Sequence, residues 1–370
     1  MIDLNAMPDW TSPPGETILD VLEERGWSQA ELAERTGFTR KHINQLMKGS
    51  AGITEETALK LERVLGSTAG FWLTREAQYR ESLARLAELK DLEPFVPWLD
   101  LLPIADMVRL GWVSRTTSKV RRVAECLQFF GVATVEAWTE RYGRLGAAYR
   151  ASEKLALKQG AVSAWLRHGE IQSETRSAPP FDRPALVALV PHLRALCREP
   201  DPSVFLPRLV GLCENVGIVV VVARVPSGCP VSGATKWLNS DRALVMLSFR
   251  HKSNDQFWFT FFHEIAHLLL HGKRLLFLEG LEAGLNSAQE VEANQWATNI
   301  LIPQQTAKQL GRLGSGPKAI IEFAESIGLP PGIVVGRLQH EGLLPWTTTL
   351  NGLKEFYLWP SEVTDGQGAP

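Results

Sequence analysis

Cysteine is scarce and scattered in this chain. The four present, Cys126, Cys197, Cys213 and Cys229, form no CxxC pair and no other close ligand spacing, which excludes a cysteine-based zinc motif and a dense disulfide framework. They read as reduced interior residues and fit a cytoplasmic protein. Long apolar runs are also missing. No stretch approaches the roughly 20 residues of a membrane-spanning helix, so no membrane association is expected. The runs over 218–223 and 257–270 suit a buried strand and a buried helix. The first ten residues hold no basic region followed by an apolar stretch, so no secretory signal is expected. Nor does charge of one sign prevail. There are 39 Lys and Arg against 41 Asp and Glu, a net charge of −2, so no whole-chain basic field announces a nucleic-acid partner. A small local basic face remains compatible with that balance.

What is present suits a globular chain of two or three domains: 370 residues, 45% hydrophobic and 22% charged. The first organised segment reads as a series of short capped helices. Residues 16–25 carry Ile18, Leu19 and Leu22 at core spacing, and Gly26 ends them. Ser28 caps the next helix, with Glu31 placed to complete a capping box, and Gly37 stops it. Thr39 caps residues 40–47, where Ile43 and Leu46 lie on the inner side. Thr54 and Thr68 cap two further helices. The pair 29–35 and 40–48, joined by Thr36-Gly37-Phe38-Thr39, has helix-turn-helix form. Its second helix exposes Arg40, Lys41, His42, Asn44 and Gln45, donors that reach base edges and phosphates in a major groove, and Ser28, Gln29, Thr39 and Lys48 flank them. Residues 1–90 hold 11 Lys and Arg against 14 Asp and Glu. Phosphate binding therefore has to come from the local stretch of Arg40, Lys41, Lys48, Lys60 and Arg63. Dimerisation would place two such faces on one duplex.

The segment from PGETILDVLEERGWSQAELAERTG through FTRKHINQLMKG to ALKLERVLGSTAGFWL resembles the HigA-type antitoxins, within the Cro and lambda-repressor class of helix-turn-helix domains. The resemblance covers about 70 residues. It implies binding to the gene's own promoter as a homodimer on double-stranded DNA, and an RNase-like toxin as a protein partner.

The middle of the chain carries no obvious chemistry. Pro94, Pro97 and Pro103 mark a junction, and helices are expected over 104–110, 118–130, 134–142, 186–197 and 204–216. Strand formers then take over. Residues 218–222 and 243–249 read as strands, with a turn and short strand over 232–237. The second run could offer an edge to an extended peptide.

The segment FWFTFFHEIAHLLLH over 257–271 follows. It contains HExxH in a run that is apolar nearly all round, as in a buried helix. His263 and His267 lie four residues apart on one face and can reach one metal ion together, with Glu264 beside them. The bland reading is two satisfied core histidines and a salt-bridging glutamate, but polar groups in such a helix are costly unless paired or metal-bound. A third ligand is needed, and the helix expected over 289–301 is its source. Glu292, which shares a face with Trp296 and Asn299, is the expected ligand. Glu290 and Glu282 are the alternatives, because pattern does not fix the rotation of this helix. His340 and Lys236 are candidate transition-state donors, and His271 stands one turn beyond the motif.

The whole of GATKWL, ALVMLSFRHKSNDQFWFTFFHEIAHLLLHG and EVEANQWATNILIP resembles the ImmA/IrrE-type metallopeptidases over about 204–344. The resemblance implies a minimal zincin fold with Zn2+ on two histidines and one acidic residue, and Glu264 as general base. It falls on His263, Glu264 and His267, then on Glu292, Ala293 and Asn294. A repressor or peptide is the implied substrate.

The expected architecture is mainly α with an α+β C-terminal part. A lambda-repressor-like helical DNA-binding domain covers 1–92, a helical middle region 93–203, a minimal zincin-like domain 204–345, and a partly packed tail 346–370. The expected function is a DNA-binding regulator of antitoxin type with a zinc metallopeptidase-like domain. Two alternatives are a non-catalytic repressor whose zincin-like domain binds a toxin or senses a ligand, and a zinc peptidase recruited to proteins by its N-terminal domain.

Overall fold

The computed structural model describes residues 12–147, 153–272, 277–278, 287–314 and 316–359. The chain divides into two compact units, Met1–Pro97 with Arg115–Cys126, and Trp98–Ser114 with Leu127–Pro370.

The first unit opens with α1 (Pro14–Arg25), α2 (Gln29–Thr36), α3 (Arg40–Met47), α4 (Glu55–Leu65) and α5 (Ala69–Leu92). Hydroxyl side chains start four of these five helices. Ser28, Thr39, Thr54 and Thr68 each stand in extended backbone and accept the N–H three residues on, which satisfies one of the orphan donors of a helix start. Glu31 does not close the expected reciprocal box, because Arg35 at i+4 holds its carboxylate at 2.8 Å. The turn between α2 and α3 depends on Gly37, whose φ of 72° is left-handed. Apolar positions at helical spacing then close a core of Ile18, Leu22, Leu32, Ile43, Leu46, Ala58, Leu61 and Trp72. Gly15 lets α1 meet the end of α3, since a Cβ there would stand 2.1 Å from the Met47 carbonyl oxygen.

The chain continues through α6 (Ile104–Arg109), α7 (Lys119–Phe130), α8 (Val135–Ala147), α9 (Glu153–Glu174), α10 (Arg183–Ala195) and α11 (Pro202–Glu214). The second unit then builds a sheet from β1 (Ile218–Val222), β2 (Gly233–Asn239), β3 (Arg242–Leu247) and β4 (Phe277–Leu278), in the order β1-β3-β2-β4. β1 and β3 pair in parallel, while β2 pairs antiparallel with both β3 and β4. This corrects the expectation of an edge at 243–249. β3 is interior, and its residues Ala243 to Leu247 are fully buried, as a strand hydrogen-bonded on both sides requires. Trp165 of α9 is a core residue whose indole N–H donates to the Ala223 carbonyl.

Against this sheet lies α12 (Asn254–Leu270), followed by α13 (Ser287–Leu301), α14 (Gln304–Ala307), α15 (Pro317–Ile327) and α16 (Pro331–His340). A 3-10 turn at Leu310–Arg312 stands between α14 and α15. Gly332 and Gly336 seat α16 on the first turn of α12, for a Cβ at Gly336 would stand 2.3 Å from Asp255 Oδ2. The segment after α16 folds back on the same turn. Glu355 O accepts the Asn254 N–H, Lys354 pairs with Asp255 at 2.6 Å, and Tyr357 accepts the Trp258 indole N–H. Phe205, Phe249, Phe257, Trp258 and Tyr357 form the aromatic centre of this core. No single helix among the described residues is long and apolar enough to cross a membrane.

Candidate functional site

Helix α12 is buried on nearly every side, and its three polar motif residues are buried with it. His263 and His267 are each 1% exposed and Glu264 is 0%. The two imidazoles, one turn apart, bring their Nε2 atoms to 2.9 Å from each other. Glu290 completes the group: Oε2 lies 3.2 Å from His263 Nε2, and Oε1 lies 3.5 Å from His267 Nε2. These three donor atoms converge within 4.8 Å. Such a His/His/Glu cluster is capable of coordinating a divalent metal.

The far side of each ring is held. His263 Nδ1 lies 2.9 Å from Asn294 Oδ1. An amide oxygen only accepts, so Nδ1 donates to it and Nε2 is the ring atom turned to the cluster. His267 Nδ1 lies 2.9 Å from His271 Nδ1, and His271 Nε2 lies 3.2 Å from Glu292 Oε2. Burial, then the neighbouring His263 and His271, push the His267 pKa down to about 2, so this ring is neutral at ordinary pH. Two imidazole Nε2 atoms and a carboxylate that converge in this way make a donor set that can hold a divalent ion. Outer partners that fix ring rotation are the usual company of metal-binding histidines.

The Glu264 carboxylate meets β2. Thr235 Oγ1 lies 2.6 Å from its Oε2. Gly233 is the floor here, since a Cβ on it would stand 2.6 Å from Glu264 Oε1. Thr235 and Gly233 are neighbours of Glu264 that sequence reasoning left unassigned. Their only signal was membership in the GATKWL stretch.

The other expected site residues are placed as follows. The structure brings Glu290, not Glu292, to the histidine pair, and Glu292 is the end of the His267–His271 chain. Glu282 lies outside the described residues. Lys236 is engaged by the buried Glu170, so it is no spare donor. His340 does not join the cluster; its ring lies 6.4 Å from that of Phe259, which lies 6.2 Å from His263.

In the first unit, α3 buries Ile43, Leu46 and Met47 and leaves Arg40, Lys41, Asn44, Gln45 and Lys48 exposed. Gln29 is exposed at the start of α2, while the hydroxyls of Ser28 and Thr39 serve as caps. His42 is half-buried, edge-on to Phe38 at 4.7 Å. Lys60 covers the same Phe38 ring at 4.6 Å. No acidic residue occurs between Gly37 and Thr54, so α3 presents a locally positive face within an acidic domain.

Comparison with known proteins agrees with both halves. A helix-turn-helix family model matches residues 18–72. A family described as the IrrE N-terminal-like domain, a peptidase family, matches residues 213–338. Virulence-associated protein I of Dichelobacter nodosus is 33% identical over 72 residues, which are 19% of this chain and 67% of that protein. The uncharacterized HTH-type transcriptional regulator YddM of Escherichia coli is 32% identical over 79 residues, 21% of this chain and 82% of that protein. Among solved structures, an addiction module antidote protein of the HigA family from Coxiella burnetii is 26% identical. The match covers 22% of this chain and 90% of that one, with a TM-score of 0.21.

Proposed function

The chain belongs to the helix-turn-helix family and joins its DNA-binding module to an IrrE-like peptidase domain, and from that premise we propose a promoter-binding repressor of antitoxin type whose second unit is a zinc-dependent endopeptidase. The observation that carries the enzymatic part is the His263, His267, Glu290 cluster with Glu264 next to it in sequence. Glu290 is the third ligand in this reading. A His2Glu set with an open position is the donor set of hydrolytic zinc. An ion held there supplies acidification of a water and polarisation of a carbonyl. Glu264 is the base: it accepts the proton of the attacking water and returns it to the leaving amine. The Thr235 hydroxyl fixes the Glu264 rotamer, and Asn294 and His271 fix the rings. The substrate is a peptide segment of a partner protein.

In the first unit, Arg40, Lys41 and Lys48 take phosphates while Asn44 and Gln45 reach base edges. A homodimer on a palindromic operator supplies two such faces, which compensates for the acidic balance of one domain. An RNase-like toxin is the partner that the antitoxin part of the reading requires.

The test is metal analysis of the purified protein together with Glu264→Gln. One zinc per chain should be found, and it should be lost from His263→Ala and His267→Ala. Glu264→Gln should keep zinc and abolish cleavage of the partner. A wild-type protein that takes up no divalent ion would sink the enzymatic reading. Unimpaired regulation by the Glu264→Gln protein would remove proteolysis from the regulatory mechanism.

A further inference from the structure

Residues 355–359 lie extended across the start of α12. Ser253 and Phe356 pair antiparallel, the Asn254 N–H donates to Glu355 O at 2.9 Å, and the Tyr357 N–H donates to Lys252 O at 2.6 Å. In an extended strand, successive side chains point to opposite faces and successive backbone groups to opposite edges. Both alternations hold here. Tyr357 is buried and Trp359 packs on Phe249 at 4.8 Å, while Phe356 is 60% and Leu358 49% exposed. With Glu355 and Tyr357 bonded to 252–254, the N–H and C=O of Phe356 turn away from that loop. Neither Phe356 nor Leu358 makes a backbone hydrogen bond to a described residue. The outer edge over 356–358 is therefore unpaired and carries two large apolar side chains. Apolar residues scattered singly on a surface need no partner. An unpaired edge with apolar side chains is different, because it is a template for another strand.

Charge selects the occupant. Residues 242–254 hold no acid, and Arg250, His251 and Lys252 are all exposed in the loop beside 357–359. Arg224 adds a guanidinium over the Trp359 ring at 5.3 Å. Of the acids near the strand, Asp255 is paired with Lys354 at 2.6 Å, and Glu355 stands at the opposite end, where it accepts from Asn254 Nδ2 at 3.2 Å. Cations thus gather at the Trp359 end and a carboxylate at the Glu355 end. A second copy of this chain would bring two basic loops together, which like-charge repulsion disfavours. A strand of the opposite pattern fits. Laid antiparallel to 355–359, it meets the basic loop with acidic residues at its N-terminal end, and sets two apolar side chains opposite Phe356 and Leu358. We infer that residues 355–359 are a docking edge for an extended segment of a partner protein, apolar at alternate positions and acidic at its N-terminal end.

The experiment uses the full chain and fluorescein-labelled hexapeptides, with anisotropy as the readout. EEVTVT should bind. KKVTVT should bind about tenfold more weakly, since two exposed attractions become two repulsions. EEGSGS, which lacks the apolar side chains, should also lose about tenfold. Phe356→Asp should weaken EEVTVT by about tenfold, because it puts a carboxylate at the centre of the edge. Lys252→Glu should bring EEVTVT and KKVTVT to similar affinity. Both altered side chains are exposed, and an unchanged far-ultraviolet circular dichroism spectrum checks that the variants fold. If Phe356→Asp does not fold, Leu358→Asp takes its place. No binding of EEVTVT, equal affinity for EEVTVT and KKVTVT, or binding that survives Phe356→Asp overturns the inference. So does a wild-type dimer that Phe356→Asp dissociates in sedimentation while EEVTVT fails to bind, for the occupant is then a second copy of this chain.

Discussion

Glu290 and Glu292 stand two positions apart on α13, and two steps of a 3.6-residue helix turn a side chain by roughly 200°. Only one of them can face the histidines. Glu290 does so together with Asn294, four residues on. Glu292 faces the outer end of the His271 ring and is 65% exposed as a side chain. Glu290→Gln should therefore lower zinc affinity more than 100-fold, whereas Glu292→Gln should lower it by about tenfold, the lesser effect of an outer partner. Competition with a chromophoric chelator separates the two, and equal losses would contradict the assignment. The i, i+4 spacing of Glu290 and Asn294 was present in the sequence, but so was the i, i+4 spacing of Glu292 and Trp296. The choice between them needed the rotation of α13 about its axis, which tertiary packing sets. Thr235 was illegible for another reason: it meets Glu264 across 29 residues of chain, and no local pattern encodes that meeting.

His168 offers a residue-scale test outside the metal centre. It stacks on Trp112 at 4.6 Å, and burial pushes its pKa from 6.5 down to about 4. Between those values the native ring is neutral and the unfolded one is protonated. The unfolded state then binds more protons, so stability falls as pH drops from 6.5 toward 4. Urea titrations at pH 7 and pH 5 should show wild type losing about 2 kcal/mol more than His168→Phe. An equal loss in both proteins would mean that the ring is already charged in the native state.

At the scale of elements, α3 was the most legible part of the chain. Thr39 in front, Lys48-Gly49 behind and Ile43 with Leu46 on one face define its start, end and rotation, so its exposed side follows by subtraction. Arg40 and Lys41 sit on that side in a stretch free of acidic residues. Replacing both by alanine should flatten the dependence of log affinity on log salt for operator DNA by about two, roughly one for each phosphate left without its cation. The affinity should also fall on every sequence tested, since phosphate contacts carry no base information. An unchanged salt slope in an electrophoretic or fluorescence titration would remove α3 from the DNA interface. β3 was less legible than α3. An unbroken apolar run marks a buried strand but says nothing of its neighbours, and the crossover that puts β3 between β1 and β2 is a property of topology. For the same reason the edge expected there was misplaced.

For the molecule as a whole, each unit has its own buried core, one around Leu32, Ile43 and Trp72, the other around Trp258, Phe261 and Ile333. The His263, His267, Glu290 cluster belongs entirely to the second, and α3 entirely to the first. A ligand stabilises the unit that binds it by an amount set by its concentration over its dissociation constant, about 2.7 kcal/mol at a hundredfold excess. In a unit of this size each kcal/mol moves the melting temperature by roughly 2–4 °C. Calorimetric scans should thus show two transitions, as separate cores permit. Zinc should raise one of them by about 5–10 °C, and a chelator should reverse the shift. Operator DNA should raise the other. His263→Ala should cancel the zinc effect and leave the DNA effect in place. Should zinc raise both transitions together, the two cores would be coupled energetically, and a signal at the metal centre would have a direct thermodynamic route to the DNA-binding helices.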